Sequence, residues 1–337
     1  MNNTILENTS IKEAISLIEI NSPNGTLFVI NHDFKLLGSI TDGDIRRGII
    51  NGCKLSSSIA KIYSRETLFF VFGSKNLNAL KKARNKGVRM IPLVDDNNKL
   101  LKIIDLTSLK SFLPVDVVIM AGGKGKRLLP FTLDTPKPML KINGVPLIQK
   151  TLETFLQFGI SNYWISINYL GNQIIDHFDK LKISANINYI KENKPMGTIG
   201  ALSSSVDFLN DHIIVTNGDV ITDLNFEEFY LDFLENDADV SFVVVPYSVT
   251  IPYGVVEVND NNELIEIREK PSYTYYSNSG IYIFKRNLFK HIPKNIFYDA
   301  TTFLVELQKN NYKIITYPFS GKWIDIGSIE DFKKVNS

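Results

Sequence analysis

From about residue 114 onward, near-continuous apolar strands alternate with helical patterns, and this alternation constrains the fold more than any other feature of the chain. The strand segments are VDVVIMA (115–121), YWISIN (163–168), INYIK (187–191) and HIIVTN (212–217), and helical patterns fill the gaps near 146–158, 171–179 and 197–209. Strands that are apolar throughout must be covered on both faces, which predicts a mainly parallel, doubly wound α/β sheet with helices on either side. Gly159 stands where a helix stop belongs. Beyond 240 the strands shorten and include a hairpin pattern, VVEV–NDNN–ELIEI (255–267). A mixed sheet is expected there, with 114–337 forming one domain.

The first 112 residues are organised differently. Lys35-Leu36-Leu37 recurs 64 positions later as Lys99-Leu100-Leu101. A polar turn precedes each copy, Asn31-His32-Asp33 and Asp95-Asp96-Asn97-Asn98, and a strand-like run precedes each turn, TLFVI (26–30) and RMIPLV (89–94). Helical patterns near 10–21 and 75–87 come before those strands. The chain therefore carries two copies of a helix–strand–turn–strand–helix unit, about 1–57 and 58–112. Each is too small to bury its own apolar face, so pairing is expected.

Composition narrows the function. There are 37 basic and 36 acidic residues, a net charge of +1, which gives no electrostatic reason to expect nucleic acid or an anionic membrane as partner. Cys53 is the single cysteine, so an intramolecular disulfide framework and a cysteine-based zinc site are both excluded. The N-terminus, MNNTILENTS, lacks the basic-then-apolar pattern of a secretory signal, and no run of about 18 apolar residues occurs. A cytoplasmic location is expected.

The first strand of the larger region runs through Ala121 into Gly122-Gly123-Lys124-Gly125-Lys126-Arg127-Leu128. Glycines after a buried strand let backbone N–H groups approach phosphate, and the adjoining cations add charge. The dinucleotide-binding fingerprint fails because Leu128 occupies its third glycine, and the P-loop pattern has no match. The continuation, GGKGKRLLPFTLDTPKPML (122–140), resembles the signature of enzymes that join a sugar 1-phosphate to a nucleoside triphosphate. Further motifs of that family follow in order: ENKPMGTIGAL (192–202), TNGDV (216–220), PYGVV (252–256), REKP (268–271), NSGIY (278–282) and WIDIG (323–327). The resemblance implies a glycosyltransferase-A-like core and attack of the sugar phosphate on the α-phosphorus with release of pyrophosphate. Such chemistry needs positioning and charge stabilisation but no covalent protein intermediate.

The same resemblance implies roles for individual residues. Arg127 would grip the triphosphate and Lys137, between Pro136 and Pro138, would neutralise charge at the α-phosphate. Asp219 and Asp325 would hold Mg²⁺, a hard cation suited to carboxylates and phosphate oxygens. Ala121, Gly122, Gly123 and Gly125 belong to the phosphate loop, and Glu192, Gly197 and Thr198 to the base-and-ribose segment. Gly254, Glu269, Lys270, Asn278 and Gly280 would contact the sugar phosphate. Asp223 is the expected helix cap in this region. Pyrimidine-specific branches of the family often carry a glutamine before the P-x-G segment; here the stretch is Tyr189-Ile190-Lys191-Glu192. That departure counts against a pyrimidine triphosphate, and together with the family resemblance it suggests GTP.

In the N-terminal region, Gly38-Ser39-Ile40-Thr41-Asp42-Gly43-Asp44 resembles the nucleotide-contact motif of cystathionine-β-synthase-type (CBS) repeats, in which Thr41 would approach a phosphate and Asp44 a ribose. In the second copy Asp105 replaces Thr41 and Ser108 replaces Asp44, which argues against a second ordinary site. The module either binds one regulatory nucleotide or serves as a structural, dimerising pair, and a homo-oligomer is expected. A CBS pair fused to such a transferase resembles guanylyltransferases of bacterial legionaminic-acid pathways, which act on glucosamine 1-phosphate. Mannose, glucose or heptose 1-phosphate are the alternative acceptors, and a non-catalytic sugar-nucleotide-binding regulator is the alternative class.

Overall fold

In this computed structural model, residues 3–336 are described except 22–24, 73–81, 84, 108, 182, 184 and 204–205. The chain divides into two units, residues 1–114 with 157–159, and residues 115–156 with 160–337.

The smaller unit repeats one motif. The first copy contains β1 (Thr4–Leu6), α1 (Ile11–Ile20), β2 (Thr26–Ile30), β3 (Leu36–Thr41) and α2 (Asp42–Ile50). Its sheet order is β1-β2-β3, with β1 parallel and β3 antiparallel to β2. The second copy contains β4 (Phe70–Val71), β5 (Met90–Val94) and β6 (Leu100–Asp105) in the same order and the same senses. The helix expected over 75–87 lies largely outside the described residues, as does Ser108. The offset of 64 is visible atom by atom. Asp33 and Lys35 N–H groups bond Asn31 Oδ1, and Asn97 and Lys99 N–H groups bond Asp95 Oδ1. The copies pair reciprocally: Leu36 N donates to Asn98 O at 2.9 Å and Leu100 N to Phe34 O at 2.8 Å. Phe28, Leu36 and Val94 form the apolar cluster they share. That is the pairing the repeat required.

The larger unit is built on a seven-stranded sheet. Its elements are β7 (Asp116–Met120), a short hairpin β8 (Lys141–Ile142) and β9 (Val145–Pro146), α3 (Leu147–Leu156), β10 (Asn162–Ile167), α4 (Gly171–Lys180), β11 (Asn186–Lys191), β12 (His212–Asn217), β13 (Val220–Thr222), α5 (Phe226–Glu235), β14 (Val240–Thr250), β15 (Val255–Val258), β16 (Leu264–Arg268), β17 (Ser272–Lys285), α6 (Ala300–Lys309), β18 (Ile314–Pro318), β19 (Trp323–Asp325) and α7 (Ile329–Asn336). The sheet order is β11-β10-β7-β12-β17-β14-β18. The first four strands are parallel; β17 runs antiparallel to both its neighbours. The mixed α/β sheet is therefore the expected one, and the 255–267 pattern forms the β15–β16 hairpin. The core between sheet and helices is aromatic-rich, with Phe284, Phe303, Tyr282 and Phe208 in one cluster.

Two local expectations fail. The helix expected over 197–209 is only a 3₁₀ turn, Gly200–Ser203, and 206–209 is irregular. The Leu209 and Asn210 N–H groups instead bond the buried Asp116 carboxylate, at 2.7 and 3.3 Å, so these two groups are satisfied without helix. Asp223 does not cap a helix. Asn225 caps α5, and Asp223 Oδ1 accepts the Lys322 N–H at 2.7 Å.

Candidate active site

Parallel register builds the site at the carboxyl ends of the central strands, where such sheets leave a crevice. Met120 on β7 stands opposite Asn217 on β12, and Gly218 N donates to Met120 O at 2.9 Å. The chain then turns into β13, whose antiparallel partner is β19, with Val220 opposite Asp325. This pairing brings Asp219 beside Asp325 although the two are remote in sequence.

A cleft of about 440 Å³ opens here, and among its lining residues are Ala121, Gly122, Gly123, Gly125, Arg127, Lys137, Glu192, Gly197, Thr198 and Asp219. Gly122, Gly125 and Gly197 are sites of close approach. A Cβ on Gly125, whose φ is +60°, would lie 2.9 Å from Lys137 Cβ; one on Gly122 would lie 2.9 Å from Glu192 Oε1. Gly197, at φ +77°, would place a Cβ 2.6 Å from the Tyr298 carbonyl.

Lys137 sits in a 3₁₀ turn, Lys137–Met139, entered from Pro136. Its Nζ is ion-paired with Asp219 Oδ2 and lies 3.8 Å from Asp325 Oδ1. Burial, then the Asp219 charge, push the Asp325 carboxyl above the usual carboxylate range, against the pull of Lys137 and Arg127. Asp219 Oδ1 and Asp325 Oδ1 are buried without a hydrogen-bond partner among the described residues. Orphaned carboxylate oxygens facing a lysine fit a cation site. No cluster of three or more His, Cys, Asp or Glu suited to a metal occurs among the described residues, so two carboxylates would be the protein's share. That suits Mg²⁺, which keeps waters and takes substrate phosphate oxygens. Arg127 is exposed on the rim, and its guanidinium and the Asp325 carboxylate flank Gly327.

Other expected residues are placed less directly. The Glu192 carboxylate turns inward, bonding the Ser166 hydroxyl and accepting Met196 N at 3.1 Å; burial raises its pKa. It ties the segment leading to Gly197 to Ser166 on β10. Glu269 and Lys270 are exposed beyond the hairpin, and a Cβ on Gly254 would lie 3.0 Å from Glu269 Oε2. The Asn278 amide donates to Tyr282 Oη at 2.8 Å, and its oxygen accepts Gly280 N at 3.0 Å. None of these five lines the cleft, but Gly280 abuts Asn217, which does. Trp323 Nε1 donates to Ser279 O at 3.0 Å, tying β19 to this strand. In the smaller unit, Thr41 and Asp44 form a capping box on α2, with Asp44 Oδ2 accepting Thr41 N at 2.8 Å and Asp44 Oδ1 paired to Arg47. Thr41, but not Asp44, lines a second cleft of about 540 Å³.

Sequence reasoning missed Asn217, Phe297 and Asp299, all of which line the active-site cleft. Asn217 lies inside a quoted motif. Phe297 and Asp299 lie in NIFYDA (295–300), which carries no spacing signal.

Residues 116–337 match the family described as Nucleotidyl transferase, and residues 3–51 match the CBS domain. The chain is similar to the mannose-1-phosphate guanylyltransferase of Mycobacterium tuberculosis, 32% identical over 65% of this chain and 62% of the relative. It is similar to the bifunctional protein GlmU of Methanocaldococcus jannaschii, 30% identical over 66% of this chain and 53% of the relative. It thus spans between half and two thirds of the length of these relatives. Among solved structures, HddC from Yersinia pseudotuberculosis complexed with GMP-PN matches 66% of this chain and 98% of its own, with TM-score 0.52 and 28% identity. No helix among the described residues is long and apolar enough to cross a membrane. A transferase-fold match over two thirds of the chain, with a CBS domain ahead of it, places the chain in the nucleotidyl transferase family.

Proposed function

We propose that the chain transfers GMP from GTP to a sugar 1-phosphate, forming a nucleotide sugar and pyrophosphate. The observation that carries this is the constellation of Arg127, Lys137 and Asp219 lining a glycine-walled cleft, with Asp325, which does not line it, 3.8 Å from Lys137. An oxygen of the sugar phosphate attacks the α-phosphorus, and the bond from that phosphorus to the oxygen bridging to the β-phosphate breaks. The phosphate loop offers N–H groups to the triphosphate. Lys137 places its ammonium against the charge that gathers at the α-phosphate, and Arg127 receives the leaving pyrophosphate. Asp219 and Asp325 would hold Mg²⁺, which when bound neutralises phosphate oxygens.

Guanine is supported by the absent glutamine before Glu192, by the name of the mycobacterial relative and by the GMP-PN complex of HddC. Glucosamine 1-phosphate is the acceptor proposed from the fusion of CBS pair and transferase. Mannose 1-phosphate is the second reading, favoured by that relative's name. Pyrophosphate release, measured for five triphosphates against glucosamine, mannose, glucose and heptose 1-phosphates, tests all of this. GTP is expected to lead, because a site that hydrogen-bonds one base leaves polar groups unpaired with another. Preference for dTTP or UTP would sink the guanylyl assignment. Failure of every pair to release pyrophosphate would favour a non-catalytic binder.

The CBS module is proposed to regulate or assemble the enzyme, holding one nucleotide in the cleft beside Thr41. Asp44→Ala should lower the melting temperature, since it removes the N3 half of the capping box and leaves the Thr41 N–H without its carboxylate, yet leave turnover at saturating substrate near wild type. Collapse of turnover in a folded Asp44→Ala protein would place the module in the catalytic unit. A wild-type rate that ignores added adenosine and guanosine monophosphates would leave it structural.

A further inference from the structure

We propose that Phe297 is the stacking platform for the nucleobase and sets a preference for purine over pyrimidine triphosphates; this rests on the nucleotide-transfer reading above. The other large apolar side chains lining the cleft are less open: Leu128 is 1% exposed, Met196 8% and Met120 half-buried against the core, whereas Phe297 is 61% exposed. Among the described residues its ring stacks on no other aromatic ring. An aromatic face left open beside Gly197 and Thr198 is what a base needs, because every base presents a π-face.

Phe297 is also held in place. On its C-terminal side, Tyr298 N donates to Met196 O at 2.9 Å, and the Tyr298 carbonyl accepts Ile199 N and Gly200 N at 3.2 and 3.1 Å. Thr198 Oγ1 accepts Ala300 N at 2.8 Å, and Asp299 Oδ1 accepts Thr198 N at 3.1 Å. Gly197 is pressed against the Tyr298 carbonyl with no room for a Cβ. The backbone next to Phe297 and the Gly197 segment are thereby one rigid piece. A ring mounted on it meets the base without an ordering cost at the moment of binding. Stacking strength grows with the overlapping ring area, so a two-ring base gains more from Phe297 than a one-ring base.

The test uses the full chain with Phe297→Ala, Phe297→Leu and Phe297→Trp. Because the side chain is exposed, all three should melt near wild type. Phe297→Ala is expected to raise KM for GTP about tenfold with kcat little changed, within the range of a lost base–aromatic stack. KM for UTP should rise less, so the GTP-to-UTP ratio of kcat/KM narrows. Phe297→Leu, which keeps apolar bulk without a π-face, should narrow it too. Titrating Phe297→Trp with GMP should quench emission beyond that of native Trp164 and Trp323. That titration needs no turnover, so it decides the stacking even if the protein releases no pyrophosphate with any substrate. Wild-type KM and base ratio in Phe297→Ala, together with Phe297→Trp emission that GMP leaves unchanged, overturn the proposal.

Discussion

Asp325→Asn is expected to remove most turnover while raising the melting temperature of the metal-free protein. The rate effect follows from the proposed division of labour. Among the described residues two carboxylates, Asp219 and Asp325, are what is offered to a cation here, so neutralising one should cost about a hundredfold or more in kcat, the scale of losing one preorganised electrostatic group. The stability effect follows from where Asp325 sits. Burial and the neighbouring Asp219 charge hold its carboxyl above the usual range, outweighing Lys137 and Arg127. The folded chain therefore binds this proton more tightly than the unfolded chain, so stability falls as pH rises above the unfolded chain's carboxylate range, and the carboxyl subtracts from stability at neutral pH. An amide of the same shape removes that penalty. The β13–β19 pairing is made by backbone and survives the change. Circular dichroism melts in EDTA and pyrophosphate release in excess Mg²⁺ separate the two effects. A variant that turns over at the wild-type rate, or a wild type indifferent to EDTA, would sink the metal assignment. A melting temperature that falls would show that Asp325 is structural support. A site that destabilises its own fold is the usual mark of function retained at a cost.

How far the sequence reveals this site depends on what kind of signal each residue carries. The parallel strands were legible because residues apolar on both faces admit few other folds. The repeat was legible because each copy needs the other, and the paired turns at Asn31 and Asp95 carry it down to single hydrogen bonds. Arg127, Lys137, Asp219 and Asp325 were named from motifs in separate segments. Their convergence is a fact of register, since Val220 must face Asp325 before Asp219 can meet it, and no local pattern encodes that pairing. The irregular stretch 206–209 was misread because the Leu209 and Asn210 N–H groups are met by Asp116, about ninety residues earlier in the chain. Thr41 and Asp44 show the opposite ambiguity. Threonine and aspartate three residues apart serve a capping box as readily as a ligand, and the side chains are committed to the cap. Phe297 left no trace, because an aromatic between the apolar residues Ile296 and Tyr298 reads as core until its exposure is seen.

Lys137→Met should damage both activity and stability, and the two losses should be separable by a second substitution. The ammonium of Lys137 is buried to 14% exposure against an Asp219 side chain that is itself 17% exposed, with Asp325 at 3.8 Å. Methionine keeps much of the apolar stem but leaves Asp219 without its counterion in a poorly solvated place. Leaving one buried polar partner unmatched costs about 1–3 kcal/mol, which should appear as a melting temperature several degrees lower, and kcat/KM should fall by about 10²–10³. Adding Asp219→Asn removes the stranded charge, so the double variant should regain most of the lost melting temperature and none of the activity. Lys137→Arg offers a discriminating control. It restores charge, but a planar fork replaces a point charge in a pocket where Gly125 already packs on the Lys137 Cβ. It should recover stability better than rate. Arg127→Ala marks the contrast: the side chain is exposed on the rim, so its loss should raise KM for GTP without moving the melt. If Lys137→Met melts at the wild-type temperature, the Lys137–Asp219 pair does not hold the site together. If it turns over near the wild-type rate, the charge at the α-phosphate is met by some other group, and the role given to Lys137 is wrong.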